Sequence, residues 1–211
     1  MEQKRQEKML LFKDCPIVFE ADEAVEDALE RDKELCARVC RHLGMSEDVI
    51  QERLSRLEPV AMRLEVKQGR HSCTLINDTY NSDLSSLDIA LDFMNRRPDR
   101  KGRSRVLILS DILQSGTPSS ELYAHVARLV ENRGVEVFVG IGEELMSQSQ
   151  CFTKVQARCS FYPDTDTFMH SSDFASLRDS MVLVKGARAF HFDDITEALE
   201  QKVHETILEV N

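Results

Sequence analysis

The chain has 211 residues, 42% of them apolar, which is enough to build a sizeable core and marks a globular protein rather than a disordered one. A formal net charge of −10 excludes general nucleic-acid binding, because a polyanionic partner needs a basic face to displace counterions. No apolar run approaches the roughly 20 residues of a membrane span, no signal-peptide pattern opens the chain, and Cys15, Cys36, Cys40, Cys73, Cys151 and Cys159 form no CxxC pair, so they read as reduced thiols of a cytoplasmic protein.

In chain order, the charged opening MEQKRQEKM has little to bury, and LLFKDCPIVFE reads as a short strand or an extended linker broken by Pro16. From Ala21 to Leu43 the apolar positions Ala24, Val25, Ala28, Leu29, Leu35, Val39 and Leu43 predict a helix closed by Gly44. Cys36 and Cys40 share a face of it near His42; without a second pair at ligand spacing they read as buried small apolar residues, not half a metal site. Ser46 is the expected N-cap of a second helix, with Glu47 and Asp48 in its first turn, Val49, Ile50, Leu54 and Leu57 facing inward, and Pro59 as its stop. The sequence contains no GxxxxGK[ST] phosphate loop.

From Met62 the pattern changes to short β-rich runs separated by helical ones. Strands are predicted at Arg63–Lys67, Cys73–Ile76, Val106–Ser110, Val135–Val139, Arg158–Phe161 and Val182–Lys185, and helices at Asp83–Arg96, Pro118–Arg133, Glu143–Gln148, Thr165–Arg178 and Asp193–Lys202. The alternation predicts an α/β fold: a Rossmann-like, mainly parallel sheet with helices on both faces, preceded by a short helical segment, with the first two strands as an edge hairpin across Gly69. Gly140 and Gly142 in FVGIGEE fit either a tight strand-to-helix turn or a phosphate-binding turn, and GxG alone is a weak signal. The basic cluster Arg96, Arg97, Arg100, Lys101, Arg103 and Arg105, beside Pro98 and Gly102, reads as a solvated connecting loop. His125, His170, His191 and His204 have no nucleophile or acid at recognisable spacing, so no catalytic histidine is expected.

The candidates for chemistry concentrate between Cys73 and Leu91. An apolar run ends abruptly in Asn77, Asp78, Thr79, Tyr80, Asn81, Ser82 and Asp83, and a helical pattern follows from Leu84. In an open α/β sheet such a turn lies at a strand's carboxyl end, where polar side chains and free helix N–H groups face a ligand crevice. Composition alone favours a plain turn with Ser82 or Asp83 as helix N-cap. INDTYNSDLSSL resembles the DDxYNANPxS segment of the Mur ligases, the ATP-dependent amide-forming enzymes of peptidoglycan assembly. Three more segments agree in order: Leu57–Val66 resembles the join between that family's central and C-terminal domains, Leu107–Gly116 stands where the family has a strand and then GDMxELG, and Leu183–Ile195 resembles its KGSR segment. The resemblance runs from about Met45 to Lys202.

That resemblance implies residues 1–58 as the helical tail of a central ATP-binding domain, residues 59–202 as the C-terminal domain, and residues 203–211, where Val203, Thr206, Leu208 and Val210 alternate, as the start of a following domain similar to the first strand of alanine racemase. The implied parent adds D-alanyl-D-alanine to UDP-N-acetylmuramoyl-tripeptide, using ATP and Mg2+. Its partners would be those two substrates and the central domain of the same chain, with no nucleic acid and no membrane. The present chain alone, without the phosphate loop, is expected to hold no cofactor and to be inactive. Arg63 matches the arginine at the domain join that reaches the nucleotide phosphates, and Asp78 the aspartate that accepts from the ribose hydroxyls. Tyr80 and Asn81 would meet substrate. Asp111 matches the acid of GDMxELG, although Ser110 replaces the glycine and Gln114 the later glutamate; Lys185 and Arg188 match KGSR, with Ala187 for the serine, and would hold the dipeptide carboxylate or phosphate, a structural ion pair being the alternative for each. No catalytic residue and no metal ligand is assigned. Two other classes stay open: a noncatalytic Rossmann-like binding module, and the C-terminal domain of a folate-type polyglutamate ligase, against which the YNSD turn speaks.

Overall fold

The computed structural model describes residues 6–7, 9–22, 24–25, 28–57, 63–98, 102–113 and 115–201; the predicted stop at Pro59, residue Gln114 and the alternating stretch from Val203 lie outside these. The chain divides into two compact units, Met1–Glu58 and Pro59–Asn211.

In the first unit a 3-10 turn, Leu10–Phe12, leads through an extended run to helices α1 (Ala28–His42) and α2 (Glu47–Ser55). No strand forms between Cys15 and Asp22. The helix expected from Ala21 begins only at Ala28: the Asp22 carboxylate accepts from the Ala24 N–H, a local turn that competes with helix, and Arg38 bonds the Glu20 carbonyl to draw the extended run back along α1. Gly44 closes α1 at a φ of +84°, with the N–H groups of Gly44 and Met45 returning to the carbonyls of Arg41 and Cys40. Ser46 stands at the N-cap of α2 without a side-chain bond. The expectation that Cys36 and Cys40 are buried is corrected: Cys36 is exposed and Cys40 half-buried, because the buried described residues of this unit are Ala37 and Ile50, which face elsewhere.

The second unit contains β1 (Glu65–Gln68), β2 (Thr74–Asp78), α3 (Leu84–Arg96), β3 (Ser104–Ser110), α4 (Ser119–Asn132), β4 (Val137–Ile141), α5 (Glu143–Ser147), β5 (Arg158–Tyr162), α6 (Thr165–Met169), α7 (Ser172–Ala175), β6 (Ser180–Lys185) and α8 (Phe192–Leu199). All six predicted strands are present within a few residues. The sheet order is β1-β2-β6-β3-β4-β5, with β1 antiparallel to β2 and every other pairing parallel. One predicted helix is two: between α6 and α7 the Ser171 hydroxyl donates to the Phe168 carbonyl and accepts from the Phe174 N–H, ending one helix and starting the next.

The layering follows from handedness. Connections from β2 to β3, β4 and β5 run one way across the sheet and place α3, α4 and α5 on one face; the return from β5 to β6 runs the other way and places α6 and α7 on the opposite face, with α8 beside them. Alternate strand residues supply the two cores. Ile76, Leu107, Leu109, Phe138, Met181 and Leu183 pack on α3 to α5, whereas Leu75, Val106, Ile108, Val139, Ile141, Val182 and Val184 pack on Phe168, Phe192, Ile195 and Leu199. Each such side chain contributes about 1.5–3 kcal/mol on burial. Parts of the basic cluster serve this frame: Arg105 pairs with Glu136, Arg96 with Asp92, and Arg103 bonds the Thr74 hydroxyl.

Asp83, not Ser82, caps α3. Its carboxylate accepts from the Ser86 N–H while the Ser86 hydroxyl reaches back to the Asp83 N–H. Burial pushes this carboxyl up, but the Ser86 bonds and the Lys185 charge outweigh it and hold it below its ordinary value. A depressed carboxyl stabilises the fold above its unfolded value, about 3.9, and the gain is lost as pH falls through the folded one. Asp83→Ala should therefore cost about 1 kcal/mol in urea denaturation at pH 7, and the gap from wild type should narrow on acidification below about pH 4.

Candidate functional site

Three segments distant in sequence are forced together at the carboxyl edge of β2 and β6. Because β1 runs antiparallel with Glu65 opposite Asn77, the residues before β1 lie beside the turn after β2. Because β2 and β6 are parallel with Asp78 opposite Lys185, the turns after these strands are neighbours. From β2 the chain leaves to α3 on one face and from β6 to α8 on the other, which opens a crevice at the switch point.

The register makes an ion pair. Lys185 Nζ lies 2.6 Å from Asp78 Oδ2 and 3.0 Å from the Asn81 carbonyl oxygen, to both of which it donates. The lysine is 1% exposed and the aspartate 9%. The two residues that sequence matching gives to different ligands thus neutralise each other, and Lys185 is not an exposed cation. Glycine follows by necessity, since a Cβ on Gly186 would sit 2.5 Å from the Phe192 ring. Asn81 is exposed at the tip of the turn, its side-chain oxygen accepting from the Ser82 N–H. Thr79, which the sequence did not single out, is buried and donates toward Asn77 Oδ1 at 2.9 Å and Asp193 Oδ1 at 3.2 Å, tying the turn to the first turn of α8. Its place inside the motif was the available signal; its partner 114 positions away had none.

Arg63, Tyr80 and Arg188 meet above this buried pair. The Arg63 guanidinium carbon lies 4.5 Å from the Tyr80 ring centroid and that of Arg188 lies 4.8 Å from it. Tyr80 is 43% exposed and both arginines are exposed. Stacking occupies the guanidinium faces and leaves their N–H edges available to oxyanions.

Asp111 points elsewhere. Its carboxylate accepts from the N–H groups of Leu145 at 2.8 Å and Glu144 at 3.1 Å and from the Tyr123 hydroxyl at 3.3 Å. Burial pushes its carboxyl up, against the pull of those donors, and burial likewise raises the Tyr123 phenol. The same contact explains the GxG turn: Gly142 has a φ of +132°, and a Cβ there would lie 2.2 Å from Asp111 Oδ2. The first N–H groups of α5 are thereby occupied, so FVGIGEE is a strand-to-helix turn. Ser110 does reach the turn after β6. Its buried hydroxyl accepts from the Ala187 N–H at 3.0 Å and donates to the Asp111 carbonyl. The structure therefore gathers Arg63, Asp78, Tyr80, Asn81, Lys185 and Arg188, and joins Asp111 to them only through Ser110.

An open cavity of about 840 Å3 lies apart from these residues, between α6 and α8, lined by Asp164, Asp166, Phe190, His191, Asp194 and Glu197 among others. Its carboxylates suit no anion, so the arginine cluster is the better candidate.

Removing one member of a buried pair leaves an uncompensated charge. Lys185→Met should destabilise the fold by about 3–5 kcal/mol, and adding Asp78→Asn should recover a large part of that loss. Urea denaturation of the two single variants and the double variant checks this; additive losses would show that the two groups are uncoupled.

No protein-family model matches the chain. The UDP-N-acetylmuramoyl-tripeptide–D-alanyl-D-alanine ligase of Escherichia coli (strain K12) is 22% identical over 167 residues, covering 78% of this chain and 35% of that ligase, so the chain spans about a third of the relative's length. Two crystal structures of MurF from Acinetobacter baumannii superpose with TM-scores of 0.67 and 0.63 at 16% and 18% identity, each covering 37% of the MurF chain and 81% and 82% of this one. A murein peptide ligase, mpl, from Psychrobacter arcticus superposes with a TM-score of 0.57 at 12% identity, covering 82% of this chain and 37% of its own. The six-stranded α/β unit shares its fold with part of these ligase structures, and the chain is similar in sequence to the Escherichia coli ligase.

Proposed function

We propose that the chain is the C-terminal portion of an ATP-dependent carboxylate–amine ligase of peptidoglycan synthesis, the one that adds D-alanyl-D-alanine to UDP-N-acetylmuramoyl-tripeptide in the cytoplasm. The observation that carries this reading is the meeting of the motif segments: Arg63 before β1, Asp78 to Asn81 from the end of β2, and Lys185 to Arg188 from the end of β6 lie far apart in sequence and share one sheet edge. Ser110 ties the fourth segment to them.

Within this reading the exposed guanidiniums of Arg63 and Arg188 fit the phosphate oxygens of a nucleotide or the carboxylate of the dipeptide. Lys185 holds Asp78 by Oδ2 and so acts through it; Asp78 Oδ1 is then the oxygen that would accept from ribose hydroxyls. ATP would supply the phosphoryl group that turns the tripeptide carboxylate into a good acyl donor. Mg2+ would travel with the phosphates, since among the described residues no group of three His, Cys, Asp or Glu is placed to hold a metal. Closure of this unit over the nucleotide-binding part of the same protein would exclude water from the activated carboxylate.

A second reading, a noncatalytic binding module, is favoured by one feature: the motif aspartate and lysine neutralise each other in a buried pair. One experiment separates them. The product of the complete gene, including any coding sequence upstream of Met1, should release phosphate from ATP only when the tripeptide and D-alanyl-D-alanine are both present, and Arg63→Ala or Arg188→Ala should lower kcat/KM at least tenfold, about 1.4 kcal/mol. The 211-residue chain alone should turn over no ATP, for want of the phosphate loop. A gene product without that loop, or without this activity, leaves the binding module.

A further inference from the structure

Arg63 and Arg188 differ from four other described arginines of the sheet unit. Arg96, Arg105, Arg133 and Arg158 each lie against a carboxylate. Among the described residues Arg63 and Arg188 have no such partner, yet both guanidiniums rest on the single Tyr80 ring, at 4.5 and 4.8 Å. Two cations sharing one ring repel each other, and the negative ring face offsets only part of that repulsion. An anion between their edges would relieve the rest.

The backbone holds this arrangement on all three sides. Leu64, directly after Arg63, has a φ of +50°, a left-handed conformation that a leucine keeps only when its surroundings enforce it, and its side chain packs against the core beneath α3 and α4. Arg188 opens a 3-10 turn that follows Gly186 and Ala187, fixed by the Phe192 ring and the Ser110 hydroxyl. Tyr80 rises from a turn anchored by Lys185 on the Asn81 carbonyl and by Thr79 on Asp193. The stems are fixed, and only the ring sets where the long side chains end.

We propose that Tyr80 is a positioning residue: its ring aligns Arg63 and Arg188 so that their N–H edges grip one phosphate-type oxyanion between them. This rests on the ligase reading above and deepens it by assigning the two arginines to one ligand. A tetrahedral dianion can accept from two forks at once, which a single carboxylate does less well. The contribution of the ring is preorganisation, since each arginine otherwise surrenders rotamer freedom on binding.

The test uses the full 211-residue chain, labelled with 15N and titrated with tripolyphosphate, with N-acetyl-D-alanyl-D-alanine as a carboxylate comparator. The Nε–Hε signals of Arg63 and Arg188, assigned through Arg63→Lys and Arg188→Lys, should move along one binding curve with tripolyphosphate and little with the comparator. Tyr80→Phe, which keeps the ring, should bind within about twofold of wild type, while Tyr80→Ala should bind about three- to tenfold more weakly and lose the ring-current shift of both arginines. Tyr80→Leu, with bulk but no π face, should behave as Tyr80→Ala and serves if the alanine disturbs the turn. Separate curves, a preference for the comparator, wild-type affinity in Tyr80→Ala and Tyr80→Leu, or equal loss in Tyr80→Phe would each overturn the proposal. None of these readouts involves ATP turnover, so the clamp and the ligase reading fail independently.

Discussion

The carboxyl edge depends on one interaction, the buried ion pair of Asp78 and Lys185. Taking two charges out of water costs several kcal/mol per ion, and their attraction offsets this only with close geometry and extra hydrogen bonds. Both conditions hold: the contact is 2.6 Å, and a second lysine proton goes to the Asn81 carbonyl oxygen at 3.0 Å. The pair contributes order more than stability. It fastens the end of β6 to the turn after β2, and that turn carries Tyr80.

Sheet topology decides where such a pair can exist. Strand β6 is last in sequence but lies between β2 and β3, so its own chain leaves toward one face while the chains of both neighbours leave toward the other. Among the described residues the polar ends of β2 and β6 answer each other through Asp78 and Lys185, while Asn77 and Thr79 are met by Glu65 and Asp193. One strand further on, Asp111 meets a different fate, because β4 leads straight into α5 and presents free N–H groups beside it. Two motif acids on either side of β6 therefore do unlike work, one paired with a cation and one capping a helix.

Much of this was legible in the sequence, because short continuous apolar runs between helical stretches of period 3.6 leave few alternatives to an open α/β sheet. What failed was local. Asp22 and Ser171 interrupt helices through side-chain bonds to nearby backbone, a competition that apolar spacing does not register. Motif matching placed Arg63, Tyr80 and Arg188 in one region but not on one ring, and it gave Asp78 and Lys185 separate duties. Pairing across 107 positions is a property of strand register, which depends on the whole sheet. Cys36 and Cys40 show the converse error, since an apolar residue type says nothing of whether a helix face is covered.

The departures from the family motifs acquire a physical sense once register is known. Where GDMxELG has glycine this chain has Ser110, and where KGSR has serine it has Ala187, and these two positions bond: the Ser110 hydroxyl accepts the Ala187 N–H. A hydroxyl absent from one loop is thus present on the adjacent strand end, and it steadies the loop that carries Arg188. The hydroxyl is fully buried, so leaving it unbonded would be costly, and it also donates its proton to the Asp111 carbonyl. The two positions at which the chain departs from those motifs are in contact in three dimensions. The crevice keeps its shape through contacts that no single motif contains.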